Sequence, residues 1–226
     1  TVPPGTTENE FASVLKHSCR LNPQDPDQSF FIAYCPERAM PGSTMKEIVH
    51  NDRIIGSATK EGGEMARDLY NSFCTCKIYI TNPKVAEMVK LAENTYRDVN
   101  IAYAHTLMAI CSELNIDCRE VIGLANKHPR VDILNPSIGV GGHCLPVDPW
   151  FMIQRAFKDG RLIENARTIN DTVPDWVVQK VIEKISTTSE TDIGIFGMSY
   201  KKDSGDMRNS PSLKVFRLLQ EKGYRV

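Results

Sequence analysis

The sequence predicts an α/β protein that begins with a parallel sheet, continues as a long helical region and then opens a second α/β unit. Three observations support this prediction. Short apolar runs alternate with helical periodicity over the first 80 residues, which is typical of parallel strands joined by helical crossovers. An unbroken helical pattern then runs from Pro83 to about Leu114, and a short apolar run precedes another helix near the carboxyl end. We therefore expect domains at 1–80, 81–188 and 189–226.

The first predicted domain contains three strands, at 30–35, 53–56 and 76–80. The run 30–35 is continuously apolar, as expected of a strand that is buried on both faces. A helical pattern covers 61–73. Another helix is predicted near the amino end from two N-capping residues and apolar residues at helical spacing, namely Thr6, Thr7, Phe11, Val14, Leu15 and Cys19.

The predicted central domain is organised on the helix 83–114, which would be about 45 Å long. A helix of that length favours packing against a second copy of the chain, so we expect a homodimer through it. An Asp117–Glu120 capping pair precedes a short helix that ends near Ala125. Downstream, we predict a helix from Pro149 to about Phe157, followed by one or two helices over 163–185 that end at Glu190–Thr191, with Pro174 as a start or kink. A buried strand is predicted at 193–197. The last predicted helix begins at Pro211, and its inward-facing residues are Leu213, Val215, Phe216 and Leu219.

The composition excludes several classes of partner. The 226 residues carry a net charge of −1 and are 41% hydrophobic, with no basic run, so nucleic acid is not an expected partner. No apolar run reaches the length of a membrane span, so no membrane is expected either. The seven cysteines match no zinc-binding spacing, and we therefore expect no metal site and reduced thiols in a cytoplasmic protein. Both chain ends resemble interrupted strands, which predicts a longer protein.

The most informative stretch is Ser137–Trp150, in which three glycines within four positions lead to Cys144. Glycines allow a backbone to approach a bound group closely. Asp148 followed by Pro149 is typical of an N-cap and the first helical turn. Cys144 is thus predicted just ahead of a helix N-terminus, where free N–H groups stabilise a thiolate. It is a candidate nucleophile, and a buried cysteine in a tight turn is the alternative.

Two further places carry charges that either bind a ligand or are simply solvated. Lys90 and Asn94 are one turn apart on the predicted long helix and share a face. A lysine on such a helix is commonly a snorkelling side chain. The loop after the predicted strand 193–197 carries Lys201 and Arg208 ahead of a helix, which suits an anionic ligand such as a diphosphate. Pattern alone leaves both alternatives open.

Six motifs together resemble the nucleotide-sugar 6-dehydrogenase family, which includes UDP-glucose and GDP-mannose dehydrogenases. Each motif is weak alone, but they occur in the family's order over nearly the whole chain. The Cys-Pro-Glu-Arg and Gly-Gly-His-Cys forms are those of the branch that acts on N-acetylated sugars. The motifs lie at 1–8, 34–42, 90–94, 128–131, 139–150 and 197–210.

The resemblance implies an N-terminal Rossmann domain that binds NAD, a central helical domain that dimerises through one long helix, and a C-terminal Rossmann-like domain that binds UDP. This chain would then hold a partial Rossmann-like parallel sheet and only the start of the second Rossmann-like domain. No G-x-G-x-x-G occurs in the sequence, so the phosphate-binding turn is not part of it. We expect the chain alone to bind NAD poorly or not at all.

The resemblance also implies a reaction and the residues that carry it. Family members oxidise a primary alcohol of a nucleotide sugar to a carboxylate by two hydride transfers to NAD. Here the implied substrate is a UDP-N-acetylhexosamine oxidised at C6, with UDP-N-acetylmannosamine favoured over UDP-N-acetylglucosamine or UDP-glucose. The implied roles are Cys144 as nucleophile, Lys90 as oxyanion stabiliser, Asn94 and Asp148 as water-ordering groups, Glu37 as the base for thioester hydrolysis, Thr1 as its helper, Arg130, Gly141, Gly142 and Lys201 as substrate-binding residues, and Arg208 as an NAD contact.

Other interpretations of the same residues remain open. From pattern alone, Glu37 is equally a charge at a helix start, Thr1 a turn hydroxyl and Asp148 a cap. A Cys-dependent hydrolase that uses Cys144 with His143 is a different function class, although adjacent residues on an extended segment point opposite ways. A third class is a non-catalytic assembly module that dimerises through its long helix.

Overall fold

The computed structural model describes residues 1–18, 30–39, 42–156, 159–185, 192–202 and 204–226. These residues form two units, Thr1–Glu93 and Asn94–Val226. Parts of some predictions lie outside the described residues, namely those on Cys19, Pro41, Phe157 and Glu190–Thr191.

The first unit contains a three-stranded sheet in the order β1 (Ala33–Tyr34), β2 (Arg53–Ser57) and β3 (Ile78–Thr81). Strands β2 and β3 are parallel, as predicted. Strand β1 pairs antiparallel with β2, so the expectation of a purely parallel sheet is wrong for this strand. The expectation of a fully buried strand over 30–35 is also wrong, since only two residues pair at the sheet edge and Phe31 is 47% exposed. An edge strand has a neighbour on one side only, which leaves part of its surface open.

Helix α3 (Lys60–Asn71) crosses from β2 to β3 and confirms the predicted crossover. Its N-cap is Thr59, whose hydroxyl accepts a hydrogen bond from the Gly62 N–H at 3.1 Å. Gly63 is buried against the sheet, and an added Cβ there would lie 2.8 Å from Ile80 Cγ2. The absence of a side chain therefore lets the helix lie close to β3.

The amino end forms a π-helical turn (Thr7–Phe11) that continues into α1 (Ala12–Ser18), and a further helix, α2, covers Thr44–His50. Thr6 and Thr7 were expected to cap this first helix with their side chains. Instead, the fully buried carboxylate of Glu87 accepts hydrogen bonds from the Gly5 N–H at 2.5 Å, the Thr7 N–H at 2.8 Å and the Thr7 hydroxyl at 2.6 Å. A distant carboxylate satisfies the free donors that a local cap usually satisfies.

Helix α4 (Pro83–Leu114) has the predicted bounds, and the boundary between the two units falls within it. It is followed by α5 (Cys118–Ala125), α6 (Asp148–Arg155), α7 (Arg161–Lys184) and α8 (Pro211–Glu221). The predicted cap of α5 is confirmed, because Asp117 Oδ1 accepts the Arg119 N–H at 2.8 Å. Helix α7 is a single helix that contains Pro174. Among the described residues, no helix combines the length and the apolar character needed to span a membrane.

The prediction of a strand at 193–197 is wrong. Ile193 and Ile195 pack against a buried cluster formed by α7 and α8, which contains Val178, Val215 and Leu219. The only pairing described here is a single bridge between Asp192 and Arg225. Alternate residues face the core, as they would in a strand, but one bridge is too little for a ladder, and Phe196 is fully exposed. The predicted inner face of α8 is confirmed, with Val215 and Leu219 buried and Leu213 and Phe216 half-buried.

A buried ion pair joins α4 to α7 in the second unit. The Arg167 and Asp98 side chains are both fully excluded from solvent, and Arg167 Nη1 lies 2.5 Å from Asp98 Oδ1. The same oxygen accepts a hydrogen bond from Asn170 Nδ2 at 2.9 Å. The second guanidinium nitrogen of Arg167 pairs with Asp171 on the next turn of α7. Each buried charge thus has a partner of opposite sign.

Replacing Arg167 by methionine should lower the free energy of unfolding by about 3–5 kcal/mol, because Asp98 would be left buried without its partner. The matched control is Lys180→Met on the same helix, whose pair with Glu183 is partly exposed to solvent. That change should cost at most about 1 kcal/mol. Urea unfolding followed by circular dichroism measures both, and equal losses in the two variants would contradict a special role for the buried pair.

Candidate active site

Cys144 is exposed and lies where the glycine-rich stretch turns into α6. Its carbonyl oxygen accepts hydrogen bonds from the Val147 N–H at 3.1 Å and the Asp148 N–H at 2.8 Å. The prediction that Cys144 lies just ahead of a helix N-terminus is therefore confirmed, and the alternative of a buried cysteine is wrong. The predicted N-cap is also wrong, because Val147 occupies the cap position and Asp148 is the first helical residue.

The Asp148 side chain reaches α4 instead of capping its own helix. Asp148 is 3% exposed and Asn94 is 5% exposed, and Asn94 Nδ2 donates to Asp148 Oδ2 at 2.6 Å. Asp148 also lies in the first turn of α6, where the helix dipole favours a negative charge. The two residues that were expected to order a water molecule are thus in direct contact.

The glycine-rich stretch is held by residues on both of its sides. Gly142 has a φ of 89°, in the left-handed region that favours glycine, and its carbonyl accepts a hydrogen bond from Asn209 Nδ2 at 3.1 Å. An added Cβ at Gly141 would lie 2.6 Å from Pro211 Cδ and 2.7 Å from Tyr200 Cβ. Packing within the fold is therefore sufficient reason for glycine at both positions. Their role in binding substrate stays a prediction.

Lys90 is half-buried on α4, one turn before Asn94. Within the described part of the chain, no hydrogen bond or ion pair is formed by its ammonium group. By contrast, the exposed Lys84 on the same helix pairs with Glu8 at 3.4 Å. A half-buried cation that keeps its donors available is suited to an anionic partner.

The Glu37 carboxylate is exposed and is held by its own loop and by one buried cation. Glu37 Oε1 accepts from the Arg38 N–H at 2.7 Å and the Ala39 N–H at 2.6 Å. Its Oε2 lies 3.7 Å from Nη1 of Arg53, whose guanidinium carbon is 4.5 Å from the centre of the Tyr70 ring. The orientation of the expected base is thus controlled by backbone donors and a buried arginine.

The remaining predicted site residues are at the surface. Thr1 and Arg130 are exposed, and Lys201 is half-buried. The Arg208 guanidinium is engaged by Asp206, with Nη2 donating to Oδ2 at 2.6 Å and Nε donating to Oδ1 at 2.9 Å. These hydrogen bonds from Arg208 lower the pKa of Asp206 to about 2, and they raise the pKa of Arg208. To contact NAD, Arg208 would have to share or exchange this partner.

Two buried side chains, one in each unit, were not expected from the sequence. Arg53 is the first residue of β2 and directly precedes two isoleucines, and an arginine at the start of a buried strand is a weak signal that it faces a carboxylate. His105 is 2% exposed within α4, and its ring bonds to Asn170 and to Ser137. Burial lowers the pKa of His105. Nothing in the helical pattern distinguished this histidine from its neighbours.

The six expected catalytic residues divide between the two units. Thr1, Glu37 and Lys90 belong to the first unit. Asn94, Cys144 and Asp148 belong to the second unit.

The cysteines are all free in the described residues. Burial raises the pKa of Cys35, which lies in the first unit. No cluster of three or more histidine, cysteine or acidic side chains suited to a metal ion occurs in the described segments.

Comparison with known proteins identifies the family. Family models match residues 1–74, 84–172 and 194–226, and their descriptions are the NAD binding domain, the central domain and the UDP binding domain of the UDP-glucose/GDP-mannose dehydrogenase family. The three matches follow one another along the chain in that order.

Individual relatives agree with the family models. The UDP-N-acetyl-D-mannosamine dehydrogenase of Methanocaldococcus jannaschii is 47% identical over 226 residues, which are 100% of this chain and 50% of that protein. The NDP-N-acetyl-D-galactosaminuronic acid dehydrogenase of Ralstonia nicotianae is 41% identical over 222 residues, 97% of this chain and 52% of that protein. The chain thus spans about half the length of the curated relatives it matches.

The fold agrees as well. The structure of the UDP-D-ManNAc dehydrogenase from Pyrococcus horikoshii superposes with a TM-score of 0.91 at 42% sequence identity, over 98% of this chain and 53% of that one. Three consecutive domain models, curated relatives and a solved structure all lead to one assignment: the chain belongs to the UDP-glucose/GDP-mannose dehydrogenase family.

Proposed function

We propose that this chain is part of an NAD-dependent dehydrogenase that oxidises the C6 alcohol of a UDP-N-acetylhexosamine to the carboxylate, for the synthesis of a polysaccharide precursor. The favoured substrate is UDP-N-acetylmannosamine, because the relative at 47% identity bears that name. UDP-N-acetylglucosamine and UDP-glucose are the alternatives. The observation that carries the proposal is the exposed Cys144 at the start of α6, in the same unit as the buried Asn94–Asp148 pair.

The residues of this chain fit part of an NAD site. The β2–α3–β3 crossover supplies half of a Rossmann-type framework, and the sequence contains no G-x-G-x-x-G turn for the phosphates. Arg208 is the one NAD contact that we propose within this chain. When bound, NAD supplies the acceptor for the hydrides that leave C6.

Cys144 acts between the two oxidation steps. Its sulfur adds to the C6 carbonyl carbon of the aldehyde, and the proton of the thiol passes to the carbonyl oxygen, which gives a thiohemiacetal. Loss of the second hydride from C6 to NAD, together with loss of the hydroxyl proton to solvent, leaves a thioester on the same sulfur. Water then adds to this carbon, the C–S bond breaks, and the carboxylate and the free thiol are released. The exposed position of Cys144 supports this role because substrate and water must both reach the sulfur.

Lys90 stabilises negative charge on the C6 oxygen in both additions, since an ammonium group near a developing oxyanion lowers its energy. Its half-burial and its free donors support this assignment. Asn94 and Asp148 order a water molecule and move the first proton from the alcohol. Their buried contact supports a shared role, because it fixes the carboxylate in one orientation.

Glu37 activates the water that hydrolyses the thioester, and Thr1 helps to place it. The remaining groups bind the UDP-sugar, namely the Arg130 and Lys201 side chains and the backbone at Gly141 and Gly142. Gly141 and Gly142 are packed so closely that any ligand contact there must use their peptide groups.

The assembly that we propose is a homodimer through α4. Six large apolar side chains on this helix are exposed in the described chain, and they would be covered by a second copy. We also propose a cytoplasmic location, since the described cysteines are all free. The exposed side chains are Val85, Met88, Tyr96, Tyr103, Ile110 and Leu114.

The hydrolase alternative has little support. A general base would need a hydrogen bond to the thiol, and none joins the exposed His143 to Cys144 among the described residues. A non-catalytic dimerising fragment remains the second candidate function, because the chain spans only about half of its relatives.

Replacing Cys144 by serine should abolish acid formation in the full-length protein, by which we mean this chain extended to the length of its relatives. We expect a loss of at least about 10³-fold in kcat with little change in UDP-sugar affinity, because only the covalent step is removed. Turnover is followed by NADH absorbance and affinity by calorimetry. Cys118→Ser is the control with normal turnover, and full activity of the Cys144 variant would refute the thioester route.

Replacing Lys90 by alanine should lower kcat about 10²–10³-fold while KM changes little, because the lost interaction is strongest in the transition state. Steady-state kinetics on the same full-length protein measures both constants. Lys84→Ala removes an exposed lysine from the same helix and should leave kcat unchanged. A rise in KM at constant kcat in the Lys90 variant would instead assign this lysine to ground-state binding.

Thermal unfolding with ligands separates the function classes. The full-length protein should be stabilised by NAD and by UDP-N-acetylmannosamine, and less by UDP-glucose, because ligand binding to the native state raises the melting temperature. An assembly module would respond to neither nucleotide. A larger shift with UDP-N-acetylglucosamine would reassign the sugar without changing the reaction.

A further inference from the structure

The segment 131–139 leads to the glycine-rich stretch and belongs to no helix or strand. Apart from the bond between the Val131 N–H and the His128 carbonyl, its described backbone hydrogen bonds are made with side chains. Asn126, the C-cap of α5, donates to the Ile133 carbonyl at 2.9 Å and accepts from the Ile133 N–H at 2.8 Å. Asn100 on α4 donates to the Asp132 carbonyl at 2.7 Å and accepts from the Leu134 N–H at 3.0 Å. The last of these contacts is made by His105, whose Nε2 lies 3.1 Å from the Ser137 nitrogen.

The partners of His105 determine its tautomer. A backbone N–H can only donate, so the Ser137 N–H requires an unprotonated Nε2. The proton of the neutral ring is then on Nδ1, which donates to Asn170 Oδ1 at 2.8 Å. The orientation of the Asn170 amide is set in turn, because its Nδ2 donates to both the carboxylate and the carbonyl of Asp98 at 2.9 Å. The buried pair of Asp98 with Arg167 holds the far end of this chain of bonds.

The near end of the chain of bonds continues into the glycine-rich stretch. The Ser137 hydroxyl donates to the Gly139 carbonyl at 2.7 Å. Gly139 has a φ of 130°, and an added Cβ there would lie 3.1 Å from Pro174 Cγ and 3.2 Å from Pro211 Cβ. Three residues further on, Asn209 holds the Gly142 carbonyl. The backbone is thus fixed at Ser137 and again two residues before Cys144.

We propose that His105 is a positioning residue for Cys144, which acts by holding the Ser137 N–H and thereby the path of the glycine-rich stretch that carries the thiol to the start of α6. This inference rests on the proposed role of Cys144 as the nucleophile. His105 itself touches neither substrate nor sulfur. Its contribution is to restrict the backbone conformations of the glycine-rich stretch, so that the Cys144 sulfur is held in position to add to the C6 carbon.

Protonation of His105 would undo this contact. An imidazolium carries an N–H on both nitrogens, so the Ser137 N–H would lose its acceptor, and the Nε2–H would face that N–H with only the Ser137 hydroxyl, 3.3 Å away, as an acceptor among the described groups. The charged groups of the surrounding network are Asp98 on α4 and Arg167 and Asp171 on α7. Burial holds the pKa of His105 below its ordinary value of 6.5, so the folded state binds this proton less readily than the unfolded state. The stability that neutral His105 contributes is therefore present above pH 6.5 and is lost as the pH falls through the lowered pKa.

Two substitutions separate the two bonds of the ring. In His105→Gln, the side-chain oxygen takes the place of Nε2 and still accepts from Ser137. In His105→Asn, the shorter amide takes the place of Nδ1, so the bond to Asn170 is kept and Ser137 is released. Thr106→Val is the control on the same helix; it removes a hydroxyl whose one hydrogen bond among the described residues is to the Ala102 carbonyl.

The measurements are amide hydrogen exchange and steady-state kinetics on the full-length protein. For His105→Asn we expect faster exchange at the amides of 137–142 and a fall in kcat of at least about tenfold, with a smaller change in KM. His105→Gln should recover most of the protection and most of kcat, and Thr106→Val should match the unsubstituted protein. The free energy of unfolding should also fall more steeply below pH 6.5 in the unsubstituted protein than in His105→Gln.

The outcomes distinguish this inference from the proposed function. Unchanged exchange and unchanged kcat in His105→Asn would overturn the positioning role, whatever Cys144 does. Faster exchange together with full activity of Cys144→Ser would retain the role in backbone positioning and overturn the nucleophile. If His105→Asn does not fold, Ser137→Ala tests the same path. It keeps the Ser137 N–H but removes the bond from the hydroxyl to the Gly139 carbonyl and the 3.3 Å contact of the hydroxyl with His105 Nε2, and it should speed exchange at 139–142. Normal exchange in that variant would count against the inference.

Discussion

The second unit depends on the buried pair of Arg167 and Asp98. Both side chains are excluded from solvent, so neither charge is stable there without the other. The pair orients the Asn170 amide, which sets the tautomer of His105, and His105 in turn holds the segment before the glycine-rich stretch. A segment outside any helix or strand has no ladder of its own. Its conformation is therefore as well defined as the side chains that bond to it.

The same solution recurs in the first unit. Glu87 is fully buried and bonds the peptide groups and hydroxyl at the start of the amino-terminal helix. Glu37 accepts two backbone N–H groups of its own loop and faces the buried Arg53. In both units, charged side chains satisfy backbone groups that local structure leaves free. Substitutions at such residues are therefore expected to affect the conformation of these loops as well as the free energy of unfolding.

Helix α4 carries expected catalytic residues of both units, with Lys90 in the first and Asn94 in the second. They are one turn apart, so their spacing along the axis is about 6 Å. Asn94 is committed to the buried Asp148, whereas Lys90 keeps its ammonium group free of described partners.

The sequence by itself determined the elements that local rules govern: the bounds of α4, the Asp117 cap, the β2–α3–β3 crossover, the position of Cys144 ahead of α6, and the family. Helical periodicity, capping residues and ordered motifs are properties of neighbouring residues, so they can be seen without coordinates. Only the tertiary structure decided that two residues within 30–35 pair at a sheet edge and that 193–197 is no strand. It also decided that the Asp148 side chain contacts Asn94 instead of capping its own helix, and that His105 accepts the Ser137 N–H. Those contacts join residues up to 54 positions apart, and no short-range pattern specifies which buried donor meets which acceptor.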